Sequence, residues 1–426
     1  MLRKSNEAES KPPASKVKGK LFYGWIVALA GGSFVFATGH FQYTFGVFVK
    51  PLINEFNWSR AAISGCVSIR SILSGVMSPI TGNLSDRYGP RILIFGGALL
   101  VGLSYLLAYR ISSLWQLYIF LGISTGIGFG ACFAPVVATV TKWFGGRAGL
   151  ANGIVMSGFG MAQILLPPIA TYIIIQYGWE TCFVILGMAA WGLGIPAWGF
   201  IRNPPPGTSA DTGDISKVDE TTPATDYALS EALRTPALWI MLTTYMTVAV
   251  CHQMMVIHIV VAAIDTGITP EAAAIILTLG GITSTAGRLI IGGLASKIDN
   301  KIVLALCLAV QAPVLLFLAG ASDLHVFYII AAVYGLAYGG VSPIMPTMAA
   351  SLFGTRSLGS IFGTLNLAYT TGVAIGPLLA GYIFDVTGSY FIAFFSAAIA
   401  MAIVFLLCLL LKSPKKKVIV TYPIIE

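Results

Sequence analysis

The sequence predicts an all-α, polytopic membrane protein with twelve transmembrane helices in two pseudo-symmetric six-helix bundles. Three observations lead there. Of 426 residues, 56% are hydrophobic and 10% charged, and the mean hydropathy is +0.84; a soluble domain carries about 25% charged residues. The apolar residues form continuous stretches of membrane length, without the alternation of a transmembrane barrel. The second half of the chain also repeats landmarks of the first at a constant offset.

A transmembrane helix needs ~20 apolar residues. Twelve stretches qualify: 21–48, 60–82, 91–110, 115–142, 148–176, 179–201, 236–264, 270–296, 301–320, 325–352, 358–384 and 388–411. Each is expected to be helical, because a spanning backbone must satisfy its own hydrogen bonds. Residues 1–20 are polar and basic and lack the short apolar region and cleavage site of a secretory signal, so they read as a cytoplasmic tail. Residues 21–201 hold the first six spans and 236–411 the second six, with 412–426 a second tail. The segment 202–235, with Pro204-Pro205-Pro206 and many Asp, Thr and Ser, reads as a flexible linker on the water side.

An even number of spans puts both termini on one side. Arg87, Arg91, Lys142, Arg147, Arg202, Lys217, Arg234, Lys297, Lys301 and Arg356 fall in one set of loops, together with the basic tails. Little beyond Lys50, Arg60 and Arg110 falls in the other set. The excess of Lys and Arg makes the termini and linker cytoplasmic. The same distribution explains the net charge of +8 without a nucleic-acid groove. The expected location is a cell membrane, a bacterial inner membrane, with the chain crossing it many times.

The repeat shows in four places. Gly82–Arg91 after span 2 answers Gly292–Lys301 after span 8, and Trp143–Arg147 answers Leu352–Arg356. Gly153 and Pro167 answer Gly363 and Pro377, and Gly178 answers Gly388, with an offset of 209–210 residues throughout. Repeats of this kind put a substrate site near mid-membrane between the halves.

Arg288 is the most informative residue. It stands in the apolar stretch Ile275–Leu294 with no acid nearby in sequence. A cation at that depth costs at least ~2.5 kcal/mol, so it is expected to face a cavity or a partner. Either it awaits an anionic substrate or it binds backbone carbonyls of broken helices. Arg70, the other intramembrane cation, lies 16 residues before Asp86, whereas Arg288 lies eight before Ser296. That spacing predicts different depths, with Arg70 either a vestibule charge or a structural ion.

Histidine is the side chain best suited to load a proton near neutrality. His40 shares span 1 with Gln42 and Tyr43 and is the sequence's candidate for a proton-sensitive group; the alternative is packing. His252 and His258 are six apart, so at most one faces the cavity. Asp265 ends span 7 as a solvated terminus or as a gate or proton-access group. Tyr334, Tyr338, Asn366 and Tyr369 supply hydroxyl and amide groups, and Phe129 answers Tyr338 across the repeat. One cationic clamp, a few neutral donors and an apolar wall suit a small organic acid; each neutral residue has packing as its alternative.

Other chemistries lack residues. Cys66, Cys132, Cys182, Cys251, Cys307 and Cys408 lie inside apolar stretches without CxxC spacing and read as reduced packing residues. The glycine-rich stretches Gly122–Gly130 and Gly335–Gly340 have no Lys-Ser/Thr after them and suit close helix approach. No metal cluster, triad or pair of catalytic carboxylates is visible, so neither an enzyme nor a cofactor is expected.

Gly82-Asn-Leu-Ser-Asp-Arg-Tyr-Gly-Pro-Arg91 resembles the signature between helices 2 and 3 of the major facilitator superfamily, G-x-L-x-D-R-x-G-R-R, with Pro90 in place of one arginine. The resemblance runs from about residue 21 to 411. It implies that Asp86, with Arg87 and Arg91, forms a conformational latch against a neighbouring helix end; a topology anchor is the plainer role. Ser296 replaces the aspartate in the second half, which implies a weaker latch there.

Tyr23-Gly-Trp25, the segment Gly39–Phe48 with Lys50-Pro51-Leu52, Glu55–Arg60, and Gly287-Arg288 before Gly292 resemble the monocarboxylate porter and oxalate/formate antiporter branch. The resemblance implies that Arg288 grips a carboxylate. Two departures stand out. Ser284 occupies the place of the acid that animal porters put one turn before this arginine, and Tyr369 the place of the exchangers' second lysine.

The sequence therefore predicts a secondary transporter of small monocarboxylates such as lactate or pyruvate, working as a monomer in the lipid bilayer. Proton symport is expected from the resemblance, and because anion uptake against a negative interior needs a compensating charge. The rivals are an organic-anion exchanger and a non-transporting carboxylate sensor.

Overall fold

A computed structural model describes residues 22–39, 41–205, 226–412 and 414. Helices account for nearly all of it. Tyr23–Gly39 (α1) and Phe41–Phe56 (α2) together fill span 1, Arg60–Tyr88 (α3) is span 2, and Arg91–Ala108 (α4) is span 3. Span 4 starts with the short Leu114–Leu117 (α5), passes through a π-helical segment, Tyr118–Ser124, and continues as Thr125–Phe144 (α6). Ala148–Phe200 (α7) covers spans 5 and 6, and Leu229–Ala232 (α8) is a short turn of helix before the second half. Pro236–Asp265 (α9), Pro270–Ala295 (α10), Asn300–Ala319 (α11), Leu324–Phe353 (α12), Leu358–Thr387 (α13) and Phe391–Leu409 (α14) are spans 7 to 12.

Ten helical stretches among the described residues are long and apolar enough to cross a membrane. One of them, α7, holds two spans, because Gly178 turns the chain at φ +86° inside it. Helix α3 is long enough, at 29 residues, but Arg70 and its serines dilute its apolar character. Ten, plus one for the second span of α7, plus α3, makes twelve.

The two halves pack alike. In the first, α1 lies on α7, α3 on α6 and α4 on α7; in the second, α9 lies on α13, α10 on α12 and α11 on α14. The punctuation repeats for a physical reason. Gly145 (φ +54°) and its counterpart Gly354 (φ +80°) end α6 and α12, and Gly178 and Gly388 (φ +68°) close the turns after spans 5 and 11. Glycine adopts these backbone conformations without the strain a Cβ brings. Helix starts are capped locally. Thr235 accepts from Leu238 N ahead of Pro236, and Asp323 accepts from the amides of His325 and Val326. Those amides hold the exposed Asp323 carboxyl below its usual range, His325 foremost.

Two seams join the halves: α3 against α13, and α7 against α10. Both are built at backbone distance by glycine. A Cβ at Gly82 would collide with the carbonyl of Gly359, and a Cβ at Gly149 with that of Gly292. One turn further in, Gly363 faces Ser78 O and Gly153 faces Arg288 O. These contacts are related by the repeat, since 82, 149, 153 and 78 plus 210 give 292, 359, 363 and 288. Without an apolar driving force between helices in lipid, such close packing is what holds spans together.

All six cysteines are free and buried. The α2 end is pinned to the second arm of α7, where the Trp179 indole donates to Glu55 and Phe48 stacks on Phe183 at 4.2 Å.

Valine at Gly149 or Gly359 is expected to wedge its seam. Overpacking of this kind costs ~1–3 kcal/mol, so each variant should melt at a lower temperature in detergent than the parent. An unchanged melting temperature would count against backbone contact at that seam.

Candidate substrate site between the two halves

Helical spacing brings the polar side chains together. Ser284 and Arg288 are four apart on α10, Tyr334 and Tyr338 four apart on α12, and Asn366 and Tyr369 three apart on α13, so each pair shares a face. Glycines then pull the helices in. Gly287 lies against Leu336 O, Gly339 against Ser284 O, and Gly335 against Gly280 O. Gly160 of α7 leaves room for the guanidinium, since a Cβ there would sit 2.8 Å from Arg288 Nη1.

Arg288 is 4% exposed and joins no ion pair among the described residues. Its Nε and Nη1 are buried without a hydrogen-bond partner. Three neutral atoms share that condition around the same cavity: Ser284 Oγ, Tyr334 OH and His252 Nδ1. Buried polar atoms are normally satisfied, so a cluster of five orphans around one space marks a place for a polar ligand. The cavity measures about 140 Å³; Gln163 of α7 and Gln253 of α9 also line it, and no carboxylate does among the described residues.

A ladder of rings forms one wall. His252 stacks on Tyr338 with centroids 3.4 Å apart, and Tyr334 lies parallel to it at 6.0 Å. The Tyr338 and Tyr369 hydroxyls are 2.6 Å apart, and Tyr369 leans on Tyr245 at 4.7 Å. A second, smaller cavity of about 70 Å³ adjoins this wall. Arg70, Phe129, Tyr245, Arg288, Asn366 and Tyr369 are among its lining residues. Arg70 lies over the rings of Phe41, at 4.8 Å, and Phe129, at 5.0 Å. Both intramembrane arginines thus reach one space. Spacing along each helix predicted different depths, but the long guanidinium side chains converge from opposite halves.

Buried polar bonds also cross between the halves. Asn366 donates to Ser78 Oγ at 2.8 Å. Asn152 on α7 donates to Thr141 Oγ1 at 2.9 Å and to Thr347 Oγ1 at 3.2 Å.

At the basic end, Asp86 receives four hydrogen bonds. Lys142 Nζ donates at 2.9 Å, Gly359 N at 3.1 Å, and Ser360 N and Oγ at 2.9 Å each. The carboxylate therefore sits on the N-terminus of α13, where free amides and the helix dipole favour an anion. At the repeat-related seam, Ser296 Oγ bonds only its own helix, to Gly293 O.

The family model of the Major Facilitator Superfamily matches residues 29–262 and 253–421. This chain belongs to the major facilitator superfamily. It is 26% identical over 378 residues to monocarboxylate transporter 13 of Rattus norvegicus, covering 87% of this chain and 85% of that protein. To monocarboxylate transporter 12 of Mus musculus it is 24% identical over 407 residues, covering 89% and 83%. Among solved structures it resembles the major facilitator transporter FucP in the outward conformation, with a TM-score of 0.72, 15% identity and 92% and 99% of the two chains covered. The human organic anion transporter MFSD10 gives a TM-score of 0.65 at 15% identity, with 91% and 97% covered. The structural likenesses carry the fold. The chain is a multi-pass membrane transporter and not an enzyme. Its partners are a small-molecule substrate and the bilayer.

Within this superfamily frame the predicted residues fall into groups. Arg288, Tyr338, Tyr369, Asn366 and Phe129 line the joined cavities, although Asn366 is already bonded to Ser78. His40 lies outside the described residues, as do the side chains of Gln42 and Tyr43. Asp265 is exposed at the end of α9, and Arg87 and Arg91 are exposed beside Asp86. Three residues were not singled out for the site by the sequence. Lys142 had been grouped with the topology charges, yet it reaches Asp86 from α6. Of the two histidines of α9, His252 is the one facing the cavity, while His258 is bonded to Tyr390 OH and Pro377 O, both at 3.1 Å. Their spacing foretold that only one could face in; which one depends on how α9 is rotated. Tyr334 had been noted as a donor but left out of the binding set.

Asp86→Asn is expected to remove the charge that binds Lys142 and the α13 amides. Hydrogen bonds to a charged group are worth ~1.5–3 kcal/mol, so the seam should open at least about tenfold more often. Faster alkylation of a cysteine introduced at Ser78 would register it, with the ranking of substrates unchanged. An altered ranking would contradict a purely conformational role.

Proposed function

We propose that the chain is a secondary transporter of small monocarboxylates, lactate- or pyruvate-like, working by alternating access and coupled to a proton. One observation carries the reading: Arg288 holds two buried, unpartnered guanidinium nitrogens toward a cavity that no carboxylate lines among the described residues. A carboxylate in the cavity supplies the charge-assisted hydrogen bonds that this guanidinium lacks. Ser284 Oγ and Tyr334 OH then meet a neighbouring hydroxyl or keto oxygen, and the small volume selects a short acid. The names of the relatives agree with this class of substrate.

In this reading Arg288, Tyr338, Tyr369, Asn366, Phe129, Gln42 and Tyr43 form the substrate site. His40 and Asp265 remain candidates for proton handling. Asp86, with Arg87 and Arg91 beside it, is the conformational latch. The halves 21–201 and 236–411 rock about the site, joined by the linker 202–235. The protein works as a monomer in a bacterial inner membrane, with the termini cytoplasmic by the distribution of Lys and Arg.

Exchange of a dicarboxylate is a second reading, favoured by one observation: Arg70, from the opposite half, lines the same cavity as Arg288. Purified protein in proteoliposomes separates the readings. A pH gradient drives accumulation by a symporter, internal anion drives an exchanger, and neither moves substrate through a sensor.

Arg288→Lys retains the charge but loses the planar fork. Uptake of lactate is expected to fall by about ten- to a hundredfold in this variant, the loss of one or two charge-assisted hydrogen bonds. Arg288→Ala should lose at least as much, with the protein still in the membrane. Wild-type affinity in Arg288→Ala would rule out this residue as the carboxylate ligand.

A further inference from the structure

We propose that His252 carries the coupling proton; the proposal rests on the carboxylate-transport reading of the Arg288 cavity. His252 lines that cavity together with Arg288, and its Nδ1 is buried with no partner. The other histidine of the same helix is tied on both ring nitrogens, to Tyr390 OH and Pro377 O. One imidazole on α9 is therefore structural, and the other has a ring nitrogen free toward the ligand space.

The groups that meet His252 come from each neighbouring helix. Arg288 and Ser284 face the shared cavity from α10, Tyr334 and Tyr338 from α12, and Tyr369 from α13. Helix α14 meets α9 at the adjoining Cys251, whose thiol donates to Ala397 O. Arginine is the charged side chain in this set, and no Asp, Glu or Lys lines the cavity among the described residues.

That charge balance links the two cargoes. With the cavity empty, Arg288 already places one positive charge in a medium of low dielectric, and a second on His252 is repelled. A carboxylate on Arg288 cancels that charge, and an imidazolium becomes admissible beside it. The Tyr338 ring, 3.4 Å from the imidazole, offers its π face to the new cation. Proton and anion therefore favour each other's binding, and by linkage each raises the other's affinity by the same factor. One proton arrives on His252 with one anion on Arg288, both leave on the other side, and the transfer is electroneutral. The Ser284 position, where the related animal porters carry an acid, needs no acid in this arrangement.

The test uses wild-type protein, His252→Gln and His252→Asn in proteoliposomes, with L-lactate as the probe and a pH dye in the lumen. Both variants are expected to retain lactate exchange at equal pH, to lose accumulation driven by an inward pH gradient, and to lose the proton entry that accompanies uptake. Calorimetry on the wild type, in buffers of different ionisation enthalpy, should register about one proton taken up per lactate bound. Either variant accumulating lactate with wild-type proton entry would overturn the proposal, as would binding by the wild type with no proton uptake. Loss of lactate binding by both folded variants would also overturn it, by making His252 a ligand. If the wild type moved no carboxylate at all, the transport reading itself would fail. Coupled transport by wild type and variants alike would remove only the role of His252.

Discussion

Backbone-to-backbone contact across two glycine-lined seams is the constraint on which the rest depends. Helices α3 and α13 meet at Gly82, Ser78, Gly359 and Gly363, and α7 and α10 at Gly149, Gly153, Gly292 and Arg288. These contacts fix how deep the guanidinium of Arg288 sits, since its own carbonyl rests on Gly153 and its Nη1 on the gap left by Gly160. They also bring Asp86 onto the first amides of α13 and Asn366 onto Ser78. A side chain larger than hydrogen at these glycines would separate the halves and dissolve the cavity, because the site has no wall of its own.

The repeat makes the two seams alike in packing, while the residues laid on them differ in charge. One is tied by a carboxylate holding an ammonium and a helix N-terminus; in the equivalent place of the other, Ser296 bonds only within its own helix. The site is lopsided as well. Arg288, Ser284, His252 and the tyrosines 334, 338 and 369 come from the second half, while the first contributes Arg70, Phe129, Gln163 and the gap at Gly160. A near-symmetric scaffold thus holds an asymmetric chemistry.

Much of this was legible in the residues. Stretches of membrane length, the constant offset and the paired loop glycines gave the architecture, because hydrophobic thickness and left-handed turns leave direct marks on composition. Arg288 stood out for the same reason: a charge in an apolar run has few explanations. What stayed hidden depends on rotation and tilt. The choice between His252 and His258, the convergence of Arg70 on the space beside Arg288, and the pairing of Lys142 with Asp86 across 56 residues are set by how whole helices turn against one another. Single-sequence spacing constrains such choices to a face but does not pick the face.

The burial of all six cysteines has a practical side. Thiol chemistry needs a thiolate in contact with water, and these six sit among packed apolar side chains. The natural chain is therefore a quiet background for water-soluble maleimides. A single cysteine placed in a seam or at the cavity mouth can report on the wild-type backbone, without the six replacements that would otherwise loosen the helix contacts being measured.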